Sequence, residues 1–511
     1  MLVGTSAELA PFLAPAWAAL VRASTLAVLP LDAQSRRFVV VATGATRADV
    51  DRALRALNAL TFALPDTARM TVEQLDEPVL ADYAGQRMLY PRQRRRFGEL
   101  GLHTQTFQGR FGKDELSFVL PPDLYVPGND SVELKLNFAY GAGLREDSVL
   151  NIMLNDRFQA AIRLDSAAGG YYEGYNITVP MASFLPGANT IRFESAMMPL
   201  ISGKCQDINT QNLQFTLFEE STVQLPDAAH VASLPDLNLL ARTGFPHTLA
   251  PRGGATTVLV AEADSATAAA AWTLIGRLSQ IQKLPLDELA FAVGTEPLPA
   301  QRDVLIVGAA DQIAPAVLAH APLQLAEHAR AAYPSLASPT PATDADGVLG
   351  WWRGLARAVS AQAQAQTPPP VTWMTEAGHV LGSRAALMQF ESPAAPGHTL
   401  TVLAAATPAT LLTQTRWLID PAVWSGLSGD LVVWSGSSDL ASQRVGPEYT
   451  HGGAGWWLHT SYLLSRHPWL WAIAMAVLIV GLSVLSLRLL TRFRHRRHPG
   501  VGEDVAAGDA H

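Results

Sequence analysis

Three patterns of apolar and polar positions follow one another along the chain. The first is a continuous apolar run of strand length that leads into an amphipathic stretch of helix length. Phe38-Val-Val-Val-Ala-Thr-Gly-Ala-Thr-Arg47 precedes a helix near Arg47 to Leu60, and Leu400-Thr-Val-Leu-Ala-Ala-Ala-Thr-Pro408 precedes one over Ala409 to Leu418. Both runs end in a small-residue turn with a threonine placed to cap the helix. The same order recurs at Leu2–Thr5 before Ser6 to Val21, at Thr256–Ala261 before Thr267 to Leu284, and at Asp303–Gly308 before Ala309 to Leu318. Units of this size read as α/β segments on a parallel sheet, repeated within one chain. The second pattern has period two. Leu116–Leu120, Val132–Phe138, Val149–Leu154, Phe158–Leu164, Tyr175–Val179, Thr190–Phe193 and Gln214–Phe218 alternate between turn signals such as Pro127-Gly-Asn-Asp130 and Gly169-Gly170. Seven or more short strands in this stretch predict an antiparallel sandwich with one face of each sheet in the core. The third pattern is Pro468–Leu487, without a formal charge. Twenty residues at ~1.5 Å each match the ~30 Å of a bilayer core; a buried core helix is the alternative.

Charge gives that last segment a direction. Arg488, Arg492, Arg494, Arg496 and Arg497 follow it, whereas Arg466 is alone in the twenty residues before it. The asymmetry puts the tail in the cytoplasm and the bulk of the chain on the far side. Trp469 and Trp471 fall where an interfacial aromatic belt is expected, and Trp456-Trp457 through Tyr462-Leu463 form a short amphipathic stretch suited to the bilayer surface, or else the first turn of one long helix. Export in this orientation needs an N-terminal signal, and Met1 to Leu9 has none of its features. The opening reads instead as the interior of a folded domain, so a truncated front is expected.

Composition narrows the function classes. The 511 residues are 49% apolar, with a net charge of −8, so nucleic acid is not an expected partner. The cluster Arg92-Gln-Arg-Arg-Arg96 reads as a solvated linker or partner surface. Cys205 is the only cysteine, so an internal disulfide and a multi-cysteine zinc site are both excluded. No histidine has a metal-ligand spacing beside an acidic residue except His495 and His498 among arginines, and no metal site or cofactor is expected. Nucleophile elbows and phosphate-cradling loops are missing too, so no catalytic residue is assigned. Gln414-Thr-Arg-Trp417 is one residue short of a glycosyltransferase acceptor signature and reads as core packing. Sugar binding is the remaining chemistry for the sandwich: Tyr171, Tyr172 and Tyr175 beside Gly169-Gly170 could form a stacking platform, or pack as strand and rim.

The order of parts resembles the regulatory B-subunit family (BcsB) of bacterial cellulose synthase. The resemblance is carried by Phe97-Gly-Glu-Leu-Gly101, Phe118-Val-Leu-Pro-Pro-Asp123, Ser148 to Asn155, Val179-Pro180 and Leu185-Pro-Gly-Ala-Asn189. It implies flavodoxin-like α/β domains flanking a carbohydrate-binding-like jelly roll, with a C-terminal transmembrane helix. The expected domains are a first α/β remnant (1–66), a linker (67–96), the sandwich (97–223), a second α/β domain (224–435) with an Ala/Pro-rich insertion at about 320–372, a flexible tether (436–455), an interface helix (456–466), the span (468–490) and a basic tail (491–511). The resemblance further implies a non-catalytic periplasmic scaffold on the inner membrane. Its partners would be the polytopic catalytic subunit, which polymerises UDP-glucose, and the nascent glucan. The family also carries the label cyclic di-GMP-binding protein. Direct binding is not expected here, since that nucleotide is cytoplasmic and only the tail would reach it. A stand-alone membrane-anchored glycan-binding protein is the other reading.

Overall fold

The computed structural model describes residues 1–13, 23–30, 37–58, 67–75, 87–126, 130–200, 212–323, 381–453 and 468–497, with side chains of the last segment given over 475–490. At the front, four strands form one sheet in the order Leu2–Thr5, Phe38–Gly44, Thr25–Pro30, Arg69–Thr71. The first pair is parallel and the others antiparallel. Helix Arg47–Asn58 buries Ala53 and Ala56 against Leu26, Ala42 and Val72. It starts where the Asp49 N–H donates to Thr46 Oγ1 at 3.2 Å, and the Thr46 N–H returns a bond to the Asp49 carboxylate at 3.0 Å. That reciprocal pair satisfies two N-terminal donors.

The second α/β domain is built on a seven-stranded sheet in the order Ala290–Val293, Thr256–Val260, Asp303–Ala309, Thr399–Ala405, Ala385–Glu391, Leu431–Ser435, Asp439–Gln443. Its two central strands, 303–309 and 399–405, are buried along their whole length, which explains their mostly apolar sequence. Helices Leu237–Thr243, Ser265–Gln282 and Pro408–Leu418 cover one face and Pro315–Leu318 the other. Four strands, 303–309, 399–405, 385–391 and 431–435, repeat the order and directions of the front sheet. Helix 408–418 follows its strand as 47–58 does, capped by Thr407, which accepts the Thr410 N–H at 3.2 Å.

The expected parallel sheet is corrected by these pairings. The first four strands are parallel, but 385–391, 431–435 and 439–443 are antiparallel to their neighbours. Loop length is the reason. Residues 392–398 between strands 385–391 and 399–405 are too few for a parallel crossover, which needs about a dozen or more, and allow only a hairpin.

Between the α/β parts lies the sandwich. One sheet runs Arg157–Arg163, Val149–Leu154, Gly187–Ala196, Phe111–Leu120, antiparallel throughout. In the other, Ser131–Tyr140 pairs with Gly170–Pro180 along one side and with Gln214–Leu217 and Thr222–Gln224 along the other. Strand 131–140 alternates perfectly: Val132, Leu134, Leu136, Phe138 and Tyr140 enter the core with Phe97, Phe118, Phe193 and Phe215. Arg94–Arg96 is the outermost strand, paired with 222–224, so the end of the expected linker belongs to the sandwich, and Arg69–Thr71 belongs to the front sheet.

A small sheet joins the parts. Ala229–Leu234 pairs with Leu124–Tyr125 of the sandwich and with Tyr449–Gly453. The expected flexible tether is therefore corrected over 439–453, where two strands find backbone partners that lie outside the stretch itself. Helix Pro468–Arg497 follows. Over the residues whose side chains are described, 475–490 in this helix, no helix is long and apolar enough to cross a membrane. Cys205, residues 324–372 of the expected insertion, and 456–466 lie outside the described residues.

Candidate functional site

Tyr171, Tyr172 and Tyr175 lie on edge strand 170–180, where aromatic residues suit a half-exposed pleated surface. The register places Tyr171 opposite Ala139, Tyr172 opposite Phe138 and Tyr175 opposite Leu136. Two residues, Glu173 and Gly174, thus stand opposite one, Asn137, which makes a bulge. Gly174 takes φ +67 there and its N–H donates to Asn137 Oδ1 at 2.6 Å. The extra residue turns Tyr172 and Tyr175 to the same side. Tyr172 stacks on Phe138 at 4.8 Å and 14° and lies parallel to Tyr140 at 6.0 Å, while Tyr175 meets Phe138 edge-on at 5.9 Å. These rings close the rim of the core. Burial, and then hydrogen bonding with Tyr172, push the Tyr140 phenol up from its ordinary range. Its oxygen accepts the Ser166 N–H at 3.2 Å.

Tyr171 points the other way. It is 67% exposed on the outer face, its ring edge-on to Phe218 at 5.8 Å. Reading across the sheet from it, the paired residues are Ala139, Thr216 and Thr106. The two threonine hydroxyls share a 2.8 Å hydrogen bond. An exposed ring, a small floor and a pair of hydroxyls along one row form a surface on which a sugar ring could stack and hydrogen-bond. The three tyrosines are therefore two rim residues and one surface residue. Phe218, Thr216 and Thr106 were not singled out by sequence, although alternation from Phe215 and Leu217 places Thr216 and Phe218 outward.

Three of the four arginines in the basic cluster are paired. Arg92 bonds Asp227, Arg94 bonds Gln224 at 3.0 Å, and Arg95 forms an ion pair with Glu99 at 2.6 Å. Among the membrane-side expectations, Arg488 is exposed on helix 468–497. Trp469, Trp471, Arg492, Arg494, Arg496 and Arg497 lie on the same helix, their side chains outside the described residues. Trp456, Trp457, Tyr462 and Leu463 are outside them altogether. The fold also assembles a group that no spacing announces: Asp303, His398 and His451 bring one donor atom each within 4.8 Å of one another. These residues are far apart in sequence and meet only through the packing of strand 449–453.

Comparison with known proteins finds two family descriptions on this chain. "Cellulose synthase BcsB, second CBM domain" matches residues 94–222, and "Cellulose synthase BcsB, second FD domain" matches 230–403. "Cellulose synthase 1" of Komagataeibacter xylinus is 26% identical over 503 residues, covering 92% of this chain and 31% of its own length. "Cyclic di-GMP-binding protein" of Pseudomonas fluorescens (strain SBW25) is 26% identical over 501 residues, covering 92% of this chain and 63% of its own. The chain thus spans about a third of the first relative and less than two thirds of the second. A family 35 carbohydrate binding module aligns at 13% identity with 25% of this chain and 74% of its own, at a TM-score of 0.14.

Proposed function

Because the chain belongs to the BcsB family of cellulose synthase subunits, we propose that it is a non-catalytic regulatory scaffold for a glucan-polymerising partner. The observation that carries this reading is that sandwich and α/β domain match that family in the same order, without a catalytic constellation among the described residues. In this reading the chain is a single-pass protein of the bacterial inner membrane. The uncharged run 468–487 on a 30-residue helix supports a span, and the arginines after it support a cytoplasmic tail. The bulk of the chain is then periplasmic, and Trp456, Trp457, Tyr462, Leu463, Trp469 and Trp471 are the contacts to the membrane and the polytopic catalytic subunit. The flavodoxin-like assignment of the α/β parts rests on the family resemblance together with the 2-1-3 order of the first three strands. These parts act as supports, since fold alone confers no chemistry.

The Tyr171 row is the place where the scaffold touches the nascent glucan. That row is also what favours the second reading, a stand-alone glycan binder. Co-purification separates the two. The intact chain should co-purify with the catalytic subunit from detergent-solubilised membranes, and the chain ending at Gly455 should not. Equal recovery of both forms would remove the membrane-segment contact from the account.

A further inference from the structure

Asp303 opens strand 303–309, and His398 immediately precedes strand 399–405, its parallel neighbour. Both therefore stand at the same N-terminal edge of the seven-stranded sheet. His451 reaches that edge from strand 449–453, whose backbone pairing is to 229–234. Asp303 Oδ1 lies 3.7 Å from His398 Nδ1 and 3.7 Å from His451 Nε2. These separations exceed the 2.7–3.2 Å of an N–H···O bond. They are close to the roughly 3.4 Å between two donors that share a tetrahedral zinc ion at ~2.0–2.1 Å each. The His398 and His451 rings are perpendicular, with centroids 6.4 Å apart.

A ring nitrogen at this edge has no hydrogen-bond partner within the protein. His398 Nδ1, the atom that faces Asp303, is buried without a hydrogen-bond partner, and His451 faces Asp303 through Nε2. The His451 side chain is 7% exposed, so its ring is largely shut off from solvent. Asp303 is held in place by the Thr399 N–H, which donates to Oδ1 at 2.8 Å. Thr399 is in turn fixed by the Tyr449 hydroxyl, which donates to its Oγ1 at 2.7 Å. Phe245 packs edge-on against His451 at 5.1 Å and closes the apolar side. His247 is nearby but engaged, its Nε2 2.8 Å from Thr401 Oγ1. The His398 side chain is 33% exposed, so this side of the cluster borders solvent.

We propose that Asp303, His398 and His451 bind a zinc ion that staples strand 449–453 to the N-terminal edge of the α/β sheet. Two imidazoles and one carboxylate with an open position are a zinc donor set, and the absence of sulfur disfavours softer ions. Among the described residues, strand 449–453 is the last strand before helix 468–497, so the staple fixes where the chain leaves the α/β domain.

The test uses the full chain in detergent, with zinc and cobalt(II) as probes. After desalting, elemental analysis should find one more zinc per chain in the wild type than in His398→Ala. That variant changes a partly exposed side chain and leaves the fold intact. Asp303→Asn keeps an acceptor for the Thr399 N–H and should lose the same zinc. Cobalt should give the visible absorption of a four-coordinate N/O site in the wild type and not in either variant, which separates this site from metal held by tail histidines. Equal zinc in all three chains, or no cobalt band in the wild type, would overturn the proposal and leave the cluster as a histidine–aspartate ion pair.

Discussion

Replacing Tyr171 by alanine separates surface recognition from folding. Its ring is 67% exposed and contacts Phe218 at the edge, so its removal should change stability by less than about 0.5 kcal/mol. A pyranose face laid on the ring would bury roughly 40 Å² of it, which at ~25 cal/mol/Å² is about 1 kcal/mol. Affinity for cello-oligosaccharides should therefore fall about fivefold, with the folded state unchanged. Tyr172→Ala should show the converse. It breaks the 4.8 Å stack on buried Phe138 and the parallel contact with Tyr140. The lost ring pairs amount to ~1–3 kcal/mol of stability, with no direct sugar contact removed. Isothermal titration with cellohexaose and denaturant unfolding, run on both variants, give the two numbers for each. Unchanged affinity in Tyr171→Ala, alongside lost affinity in a fully folded Tyr172→Ala, would refute the outer-face assignment.

Other consequences concern the α/β domain. Asp264 caps the 18-residue helix 265–282 by accepting the Ala266 and Thr267 N–H groups at 2.9 Å each. Asp264→Ala should cost about 1–2 kcal/mol by denaturant titration. Gly429 holds φ +70, and a Cβ there would sit 2.0 Å from the Gln443 carbonyl oxygen. Gly429→Ala should lower stability by at least ~2 kcal/mol, and an unchanged midpoint would contradict the close strand approach. Burial lowers the His247 pKa from 6.5 to about 4. As pH falls, the unfolded chain takes up that proton first. The stability from neutral His247 is whole above pH ~6.5 and is lost towards pH ~4, about 3 kcal/mol in all. His247→Gln should flatten that part of the pH–stability curve, and an identical slope in both chains would exclude His247 as its source.

Much of this fold is visible in the residue pattern, for identifiable reasons. The alternation of Val132 to Tyr140 is dictated by one dry and one wet face, and the mostly apolar stretches at 304–307 and 400–405 by burial on both faces. Thr46 and Thr407 mark true helix starts because a cap is a local interaction. What was hidden depends on counting or on distance. The hairpin geometry at 392–398 follows from loop length, which apolar pattern alone ignores. The bulge at Glu173–Gly174 adds one residue to a strand and so reverses the face on which each later tyrosine lies. Trp417, read as core, is 43% exposed, because Leu411, Thr415 and Leu418 take the buried stripe of its helix. Strands 439–443 and 449–453 look like a tether because neither has a run of apolar residues, and the hydrogen bonds of 449–453 come from a segment distant in the chain. Asp303, His398 and His451 carry no local signature at all, since their nearness is made only by tertiary packing.

Glucan synthesis from UDP-glucose tests the central claim most directly. It is measured in membranes that co-express the catalytic subunit with this chain, either intact or ending at Gly455. The scaffold account predicts polymer with the intact chain and loss of polymer without 456–511, at equal levels of catalytic subunit. Undiminished synthesis with the shortened chain would contradict it and shift the weight to an independent glycan binder.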